Sequence, residues 1–333
     1  MSENNHNAAT RNRLAARVQM LLFVAIVFAV AAKADSNAQP DSSKPPVAVT
    51  GTNDIAALRE KADQGDAKAQ VDLGAAYVLG KDVPKDLAEA AKWFRMAAKQ
   101  GDVTAQHYLG IAYTKGDGVP QDSAEAAKWF RAAAEQGNAE AQGSLGMVYL
   151  GGFGVAKDPA EGIKWLRKAA EQGKADAQNI LGMMYAVGAN VPKDLVESAK
   201  WFRMAAEQGK ADAQFELGFA YAKGEGVPKD LAEAARWYRK AADQGNAAAQ
   251  CNLGNAYASG AGVNQDWAES VKWLRKSAEQ GNAYAQCNLG AAYAVGVGVP
   301  KDLTEAAKWL RKSADQGFDP AKNTLKQMGL DAK

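Results

Sequence analysis

Few residues in this chain of 333 could carry chemistry. The histidines are His6 and His107, the cysteines Cys251 and Cys287, and the carboxylates Glu140, Asp176 and Asp212 recur at a spacing of 36 residues. A hydrolase would need a base, a nucleophile and an acid from such a set. With so few histidines, no His-based triad, H-E-x-x-H site or His-rich metal site can be assembled within the chain. No G-x-S-x-G or S-x-x-K nucleophile motif occurs in the repeated part. The glycine-rich stretches GGFGVAKD (151–158) and GAGVNQD (260–266) look like phosphate loops, but neither follows a strand or supplies Gly-Lys-Ser/Thr. They read as turns between helices. The expectation is no catalytic residue, no cofactor and no metal.

The elements that hold these residues are copies of one another. Trp93, Trp129, Trp165, Trp201, Trp237, Trp273 and Trp309 are each 36 residues apart, and Gln70, Leu73, Gly74 and Tyr77 recur at the same interval. Such a period signals units that bury a core only against their neighbours. The second half of each copy opens with Asp86 and Glu89 or their equivalents, a capping pair in which Asp accepts a backbone N–H and Glu reaches back to the Asp N–H. Leu87, Ala90, Ala91, Phe94 and Ala98 then keep helical spacing until Gly101 stops the helix. The first half opens on Asp66, Asp102, Asn138, Asn246 or Asn282, good N-cap residues. Gly74 falls inside that helix, where glycine costs about 1 kcal/mol relative to alanine, so another helix is expected to approach it closely. Loops such as GKDVPKD (80–86) join the halves, and each copy is an antiparallel helix pair.

Gln70-x-x-Leu73-Gly74-x-x-Tyr77 followed by Ala90-x-x-x-Phe94-x-x-Ala97 resembles the tetratricopeptide pattern. Gln70 stands in place of its usual Trp, the period is 36 rather than 34, and each copy ends in Gln-Gly without Pro. Those departures, with Gly-x-(Gly/Asp)-Val in the loop and Trp-(Phe/Leu/Tyr)-Arg in the second helix, look like the Sel-one-like repeat (SLR) family. The resemblance implies an all-α fold, a right-handed α–α superhelix of seven 36-residue helix pairs with a capping helix at each end. The copies run 66–101, 102–137, 138–173, 174–209, 210–245, 246–281 and 282–317, flanked by caps over 54–65 and 318–333. One branch of the family carries a disulfide in each repeat, and some of its members are associated with penicillin binding; this chain lacks those cysteines. Cys251 and Cys287 instead share one column in adjacent copies. Packed helices lie about 9–10 Å apart, beyond the roughly 7 Å Cα reach of a disulfide. Two small side chains facing a groove are the expectation. The repeated arginine, Arg95 to Arg311, is expected to pack on an aromatic ring and pair with a carboxylate.

Residues 1–34 differ from the rest. Arg11, Arg13 and Arg17 precede an apolar run from Met20 to Ala32, and Ala32-Lys33-Ala34 has a small-x-small cleavage pattern, so a secretory signal cut after Ala34 is expected. The run is shorter than the roughly 20 residues that span a bilayer, and an uncleaved anchor is the alternative. Residues 35–53, with Pro40, Pro45 and Pro46, read as a flexible linker. The net charge is +2 with four Lys/Arg and one Glu in residues 1–34, so removing that +3 leaves −1. Such a balance makes no electrostatic case for nucleic acid.

By resemblance, tetratricopeptide-type first helices line a concave groove through their second, fifth, ninth, twelfth and thirteenth positions. The fifth column reads Val71, His107, Gly143, Asn179, Phe215, Cys251, Cys287, and the ninth Ala75, Ile111, Met147, Met183, Phe219, Asn255, Ala291. Both vary while their neighbours are fixed. Met147, Met183, Phe215 and Phe219 offer adaptable apolar contact, and His107 and Ile111 continue the lining. Glu140, Asp176 and Asp212 add an acidic row, whose simpler role is to stabilise the helix dipole. The expected function is an exported, periplasmic or secreted, non-enzymatic scaffold or adaptor for a protein or peptide partner in bacterial envelope regulation or assembly. A hydrolase of cell-wall or β-lactam-type substrates is the alternative. A monomer is expected, with a dimer allowed.

Overall fold

A computed structural model describes residues 52–330, which hold sixteen α-helices and no strand. The signal expected over 1–34 and the linker up to residue 51 lie outside the described residues. Two compact units meet in sequence at Pro192 and Lys193. The first holds α1 (Thr52–Asp63), α2 (Ala67–Leu79), α3 (Leu87–Lys99), α4 (Val103–Lys115), α5 (Ser123–Glu135), α6 (Ala139–Gly151), α7 (Pro159–Glu171) and α8 (Ala175–Val187). The second holds α9 (Leu195–Glu207), α10 (Ala211–Lys223), α11 (Leu231–Asp243), α12 (Ala247–Ser259), α13 (Trp267–Glu279), α14 (Ala283–Val295), α15 (Leu303–Asp315) and α16 (Asp319–Gln327). Within each unit a helix packs mainly on its chain neighbours.

The second helices start as their aspartates require, with one change. Asp86 Oδ1 accepts from the backbone N–H groups of Ala88 and Glu89 at 2.9 and 3.0 Å. The expected return bond from Glu89 to the Asp86 N–H does not form, because that N–H already donates to the Tyr77 carbonyl across the loop at 3.1 Å. Glu89 pairs with Lys92 instead. In α5 the equivalent Glu125 accepts from both Lys128 Nζ and the Trp129 indole N–H, each at 3.1 Å. Among the first helices, Asp66, Asp102, Asn138, Asn246 and Asn282 cap through their side chains. Lys174 and Lys210 occupy the same position in α8 and α10 without a side-chain cap. Such a cap is worth about 1 kcal/mol.

Glycine marks close approach inside first helices and, in five of the seven copies, again in the loop, where Asp82 and Asn190 take the place in the other two. A Cβ at Gly74 would lie 2.9 Å from the Phe94 ring, and one at Gly146 would lie 2.7 Å from Leu166, so within a unit a first helix presses its bare backbone onto its own second helix. The expectation drawn from mid-helix glycine holds. In the loops, Gly154 and Gly298 combine positive φ with a second constraint: a Cβ would overlap the backbone of Ser123 and of Trp267, at the start of the preceding second helix.

A glutamine ladder links successive copies within each unit. Gln70 Nε2 donates to the Ala62 carbonyl at 3.0 Å, and Gln70 Oε1 accepts from Gln100 Nε2 at 2.9 Å. The rung repeats from Gln136 to Gln106 and from Gln172 to Gln142 in the first unit. In the second it joins Gln244 to Gln214, Gln280 to Gln250 and Gln316 to Gln286. The glutamines that replace the tetratricopeptide tryptophan are thus buried and satisfied, as a buried carboxamide must be.

Candidate functional site

The groups that could do chemistry are taken up by packing. His107 on α4 is 6% exposed, its ring 5.5 Å from Tyr108 and 5.9 Å from Phe130. Burial lowers its pKa to about 4, with Glu140 pulling upward and Lys174 downward, so the imidazole stays neutral near pH 7. It supplies packing rather than an accessible ring, although the sequence placed it on the groove. Cys251 and Cys287 are buried, free thiols. Burial pushes the Cys251 thiol up to about 11 and Cys287 upward as well, the opposite of what a nucleophile needs.

The arginine column finds the ring that the sequence led one to expect, but not the carboxylate. Arg95 donates to the Tyr113 hydroxyl at 3.1 Å, and Arg203 to Tyr221 at 2.8 Å, with each guanidinium about 6 Å from the ring centroid. Arg59–Tyr77, Arg131–Tyr149, Arg167–Tyr185, Arg239–Tyr257 and Arg275–Tyr293 repeat the bond. The tyrosine sits 18 residues on, in the next first helix of the same unit. A phenol that stacks and accepts at once replaces the carboxylate. At the end of the second unit, Arg311 donates to the Leu330 carbonyl instead.

The acidic row does more than sit near helix dipoles. Glu140 pairs with Lys174 at the start of α8, and both the bond and the charge lower the Glu140 pKa against the opposing desolvation. Asp212 accepts from Asn246 Nδ2 at 3.1 Å, and Asp176 is exposed. The apolar candidates stay partly accessible. Ile111, Met147 and Met183 are half-buried in the first unit, Ile111 beside Tyr113 and Tyr149. Phe215 and Phe219 come together in the second, packed on the cluster around Tyr238 and Leu253, with the Phe215 ring 5.9 Å from Tyr238.

One residue escaped the column argument. Seven of the eight tryptophans belong to the 36-residue column, and Trp267 alone does not. It opens α13 and is 42% exposed. With Asn255, Asn288, Val295 and Ser270 it lines a cleft of about 420 Å³ between α12, α13 and α14. A second cleft of about 420 Å³ adjoins it through Ala291 and Val295 and continues to Lys301, Leu303 and Met328. Val295 is 69% and Leu303 48% exposed. The lone off-period tryptophan was the sequence signal for this face.

The Sel1 repeat model matches residues 67–102, 103–138, 139–174, 175–210, 211–246, 247–282 and 283–318. A protective antigen of uropathogenic Escherichia coli strains, with an SLR fold, superposes with a TM-score of 0.78 at 42% identity, covering 82% of this chain and 59% of that one. A Sel1 repeat protein from Oxalobacter formigenes superposes with a TM-score of 0.64 at 35% identity, covering 95% of this chain and 89% of that one. By sequence, 47 residues are 45% identical to the secretory immunoglobulin A-binding protein EsiB of Escherichia coli, a match over 14% of this chain and 10% of EsiB. The chain thus spans under two thirds of the antigen and a tenth of EsiB.

Proposed function

The chain is a member of the Sel1 repeat family, and on that premise we propose that it is an exported, non-enzymatic scaffold that holds a protein or peptide partner in bacterial envelope regulation or assembly. One observation carries the reading. The residues common to the copies, Gln, Arg, Tyr and Trp, bond or pack against one another, while the columns that vary keep Ile111, Met147, Met183, Phe215 and Phe219 partly accessible on the first helices. Surfaces of this kind bind by adaptable apolar contact. The name of EsiB describes a protein that binds another protein, which supports a protein partner here as well.

Export rests on the basic, apolar and small-x-small segments of residues 1–34, with cleavage after Ala34 and a linker over 35–53. Among the described residues, no helix is long and apolar enough to cross a membrane. N-terminal sequencing of the protein recovered from the cell envelope decides the point: a start at Asp35 is the expected result, and a start at Met1 or Ser2 overturns cleavage.

The binding test is affinity capture from envelope extract on the chain from Asp35 onward. Two controls accompany it, Met147→Lys with Met183→Lys and Phe215→Lys with Phe219→Lys, each first shown by circular dichroism to be as helical as the native chain. A partner held by the native chain and lost by either control supports the first-helix surface. Equal capture by all three overturns it.

A further inference from the structure

The two adjoining clefts of the second unit have the chemistry of a peptide site. Their walls are apolar and exposed where a scaffold has no need of exposure, at Trp267, Val295 and Leu303. Polar groups stand at defined points. Asn288 Nδ2 donates to Asn255 Oδ1 at 2.8 Å, and Asn255 Nδ2 lies 3.8 Å from Cys251 Sγ, which leaves a second N–H on each carboxamide and the Asn288 oxygen to face a ligand. Ser270 is fully buried, lines the cleft, and its hydroxyl has no protein partner. The buried hydroxyls of Ser277 on the same helix and of Ser313 on α15 are satisfied by the Ala247 and Ala283 carbonyls at 2.6 and 2.7 Å. Asn179 Oδ1 and the indole N–H groups of Trp201, Trp237 and Trp309 also lack a partner, but of these groups only Ser270 lines these clefts. A buried polar group at a cleft wall points to something that completes it. Lys301 is the charged residue on these walls, and no carboxylate lines either cleft among the described residues.

We infer that this face docks an extended segment of a partner protein, with a large apolar side chain against Trp267 and Val295, its backbone amides on the Asn255–Asn288 pair, and an Asp or Glu carboxylate at Lys301. The inference rests on the protein-binding reading above but places contact on the starts of α13 and α15 as well as on the first helices. Each wall residue has a replacement that the chain already uses in the same column. Ser123 occupies the Trp267 position and Gln265 the Lys301 position, where Gln265 Nε2 bonds the Ala258 carbonyl at 2.7 Å. Trp267→Ser and Lys301→Gln are therefore compatible with the fold.

The probe is a random linear-peptide library displayed on phage and selected on the whole chain. Enriched sequences are expected to join a large apolar residue to Asp or Glu. Synthetic copies are expected to lose about tenfold or more in affinity on Trp267→Ser and on Lys301→Gln, and to keep it on Val196→Ala, an exposed position that lines neither cleft, with the Phe215→Lys, Phe219→Lys chain run alongside. Peptides that bind the two cleft variants unchanged overturn the inference; if they fail only on the phenylalanine variant, the protein-binding reading stands and this surface does not. No enrichment on the native chain overturns both. Sedimentation supplies the remaining arm: a dimer that dissociates on Trp267→Ser assigns the face to a second copy and overturns the peptide occupant.

Discussion

The two units repeat the same devices, a glutamine ladder, arginine–tyrosine pairs and glycines pressed on helix starts, and yet they differ where those helix starts meet solvent. In the first unit that position is the half-buried Leu87, then Ser123 and Pro159; in the second it is the half-buried Leu195, then the exposed Leu231, Trp267 and Leu303. The reason such different residues share one position lies in what the next copy uses. Gly154 rests on the backbone of Ser123 and Ala124, and Gly298 on the backbone of Trp267 and Ala268. The side chain at that point is left to itself. A repeat scaffold thus frees two kinds of position: those outside its contacts, and those where only the backbone is in contact.

The comparison breaks first, and most heavily, at the periodic tryptophans. Trp165 and Trp273 are buried in the first and second unit. Replacing either by alanine should cost about 3–5 kcal/mol by urea unfolding. Unequal costs would mean that the units do not share one core design.

The loop glycines sharpen it next. Gly154→Ala and Gly298→Ala should each cost about 3 kcal/mol, because a Cβ meets backbone that cannot move aside and φ is positive. Gly101→Ala has the same left-handed φ with nothing within 4 Å. It should cost about 1 kcal/mol. Similar losses at all three would remove the contact on which the freedom of Trp267 depends.

Acid separates the units in a smaller way. His107 lies in the first unit, and the second contains no histidine. Its folded pKa, about 4, lies below the unfolded value near 6.5, so the unfolded chain binds the proton first as pH falls. The stability of the neutral, buried ring is fully present above pH 6.5 and drains away towards pH 4, about 2 kcal/mol of it by pH 5. His107→Val, the residue of Val71 in the same column, should abolish that part of the slope. Hydrogen exchange in native protein should open α4 and α5 before the second unit as the pH is lowered. An unchanged slope in the variant would place the ring in contact with water.

Much of this was legible from spacing alone. The period, the Asp and Asn caps, and the meaning of Gly74 follow from local rules that act within one helix or one turn. What could not be read depended on groups brought together across the loop or between copies. The Asp86 N–H had a competing acceptor in Tyr77, which no i to i+3 rule contains. The Arg95 partner lay half a period away in Tyr113, hidden because both belong to fixed columns and neither looked unpaired. His107 varied freely within its column and so resembled a ligand contact, while the helix interior had room to bury it. Trp267 was missed because attention fell on variation within the first helices, and its signal was a residue outside the period.

The most direct test joins stability to binding in one variant. Trp267→Ser should leave the urea midpoint within the scatter of surface substitutions, about 0.5 kcal/mol, while the affinity for a selected peptide falls about tenfold. Loss of stability together with affinity, or a fully retained affinity, would contradict the claim that binding rests on the positions this repeat scaffold leaves free.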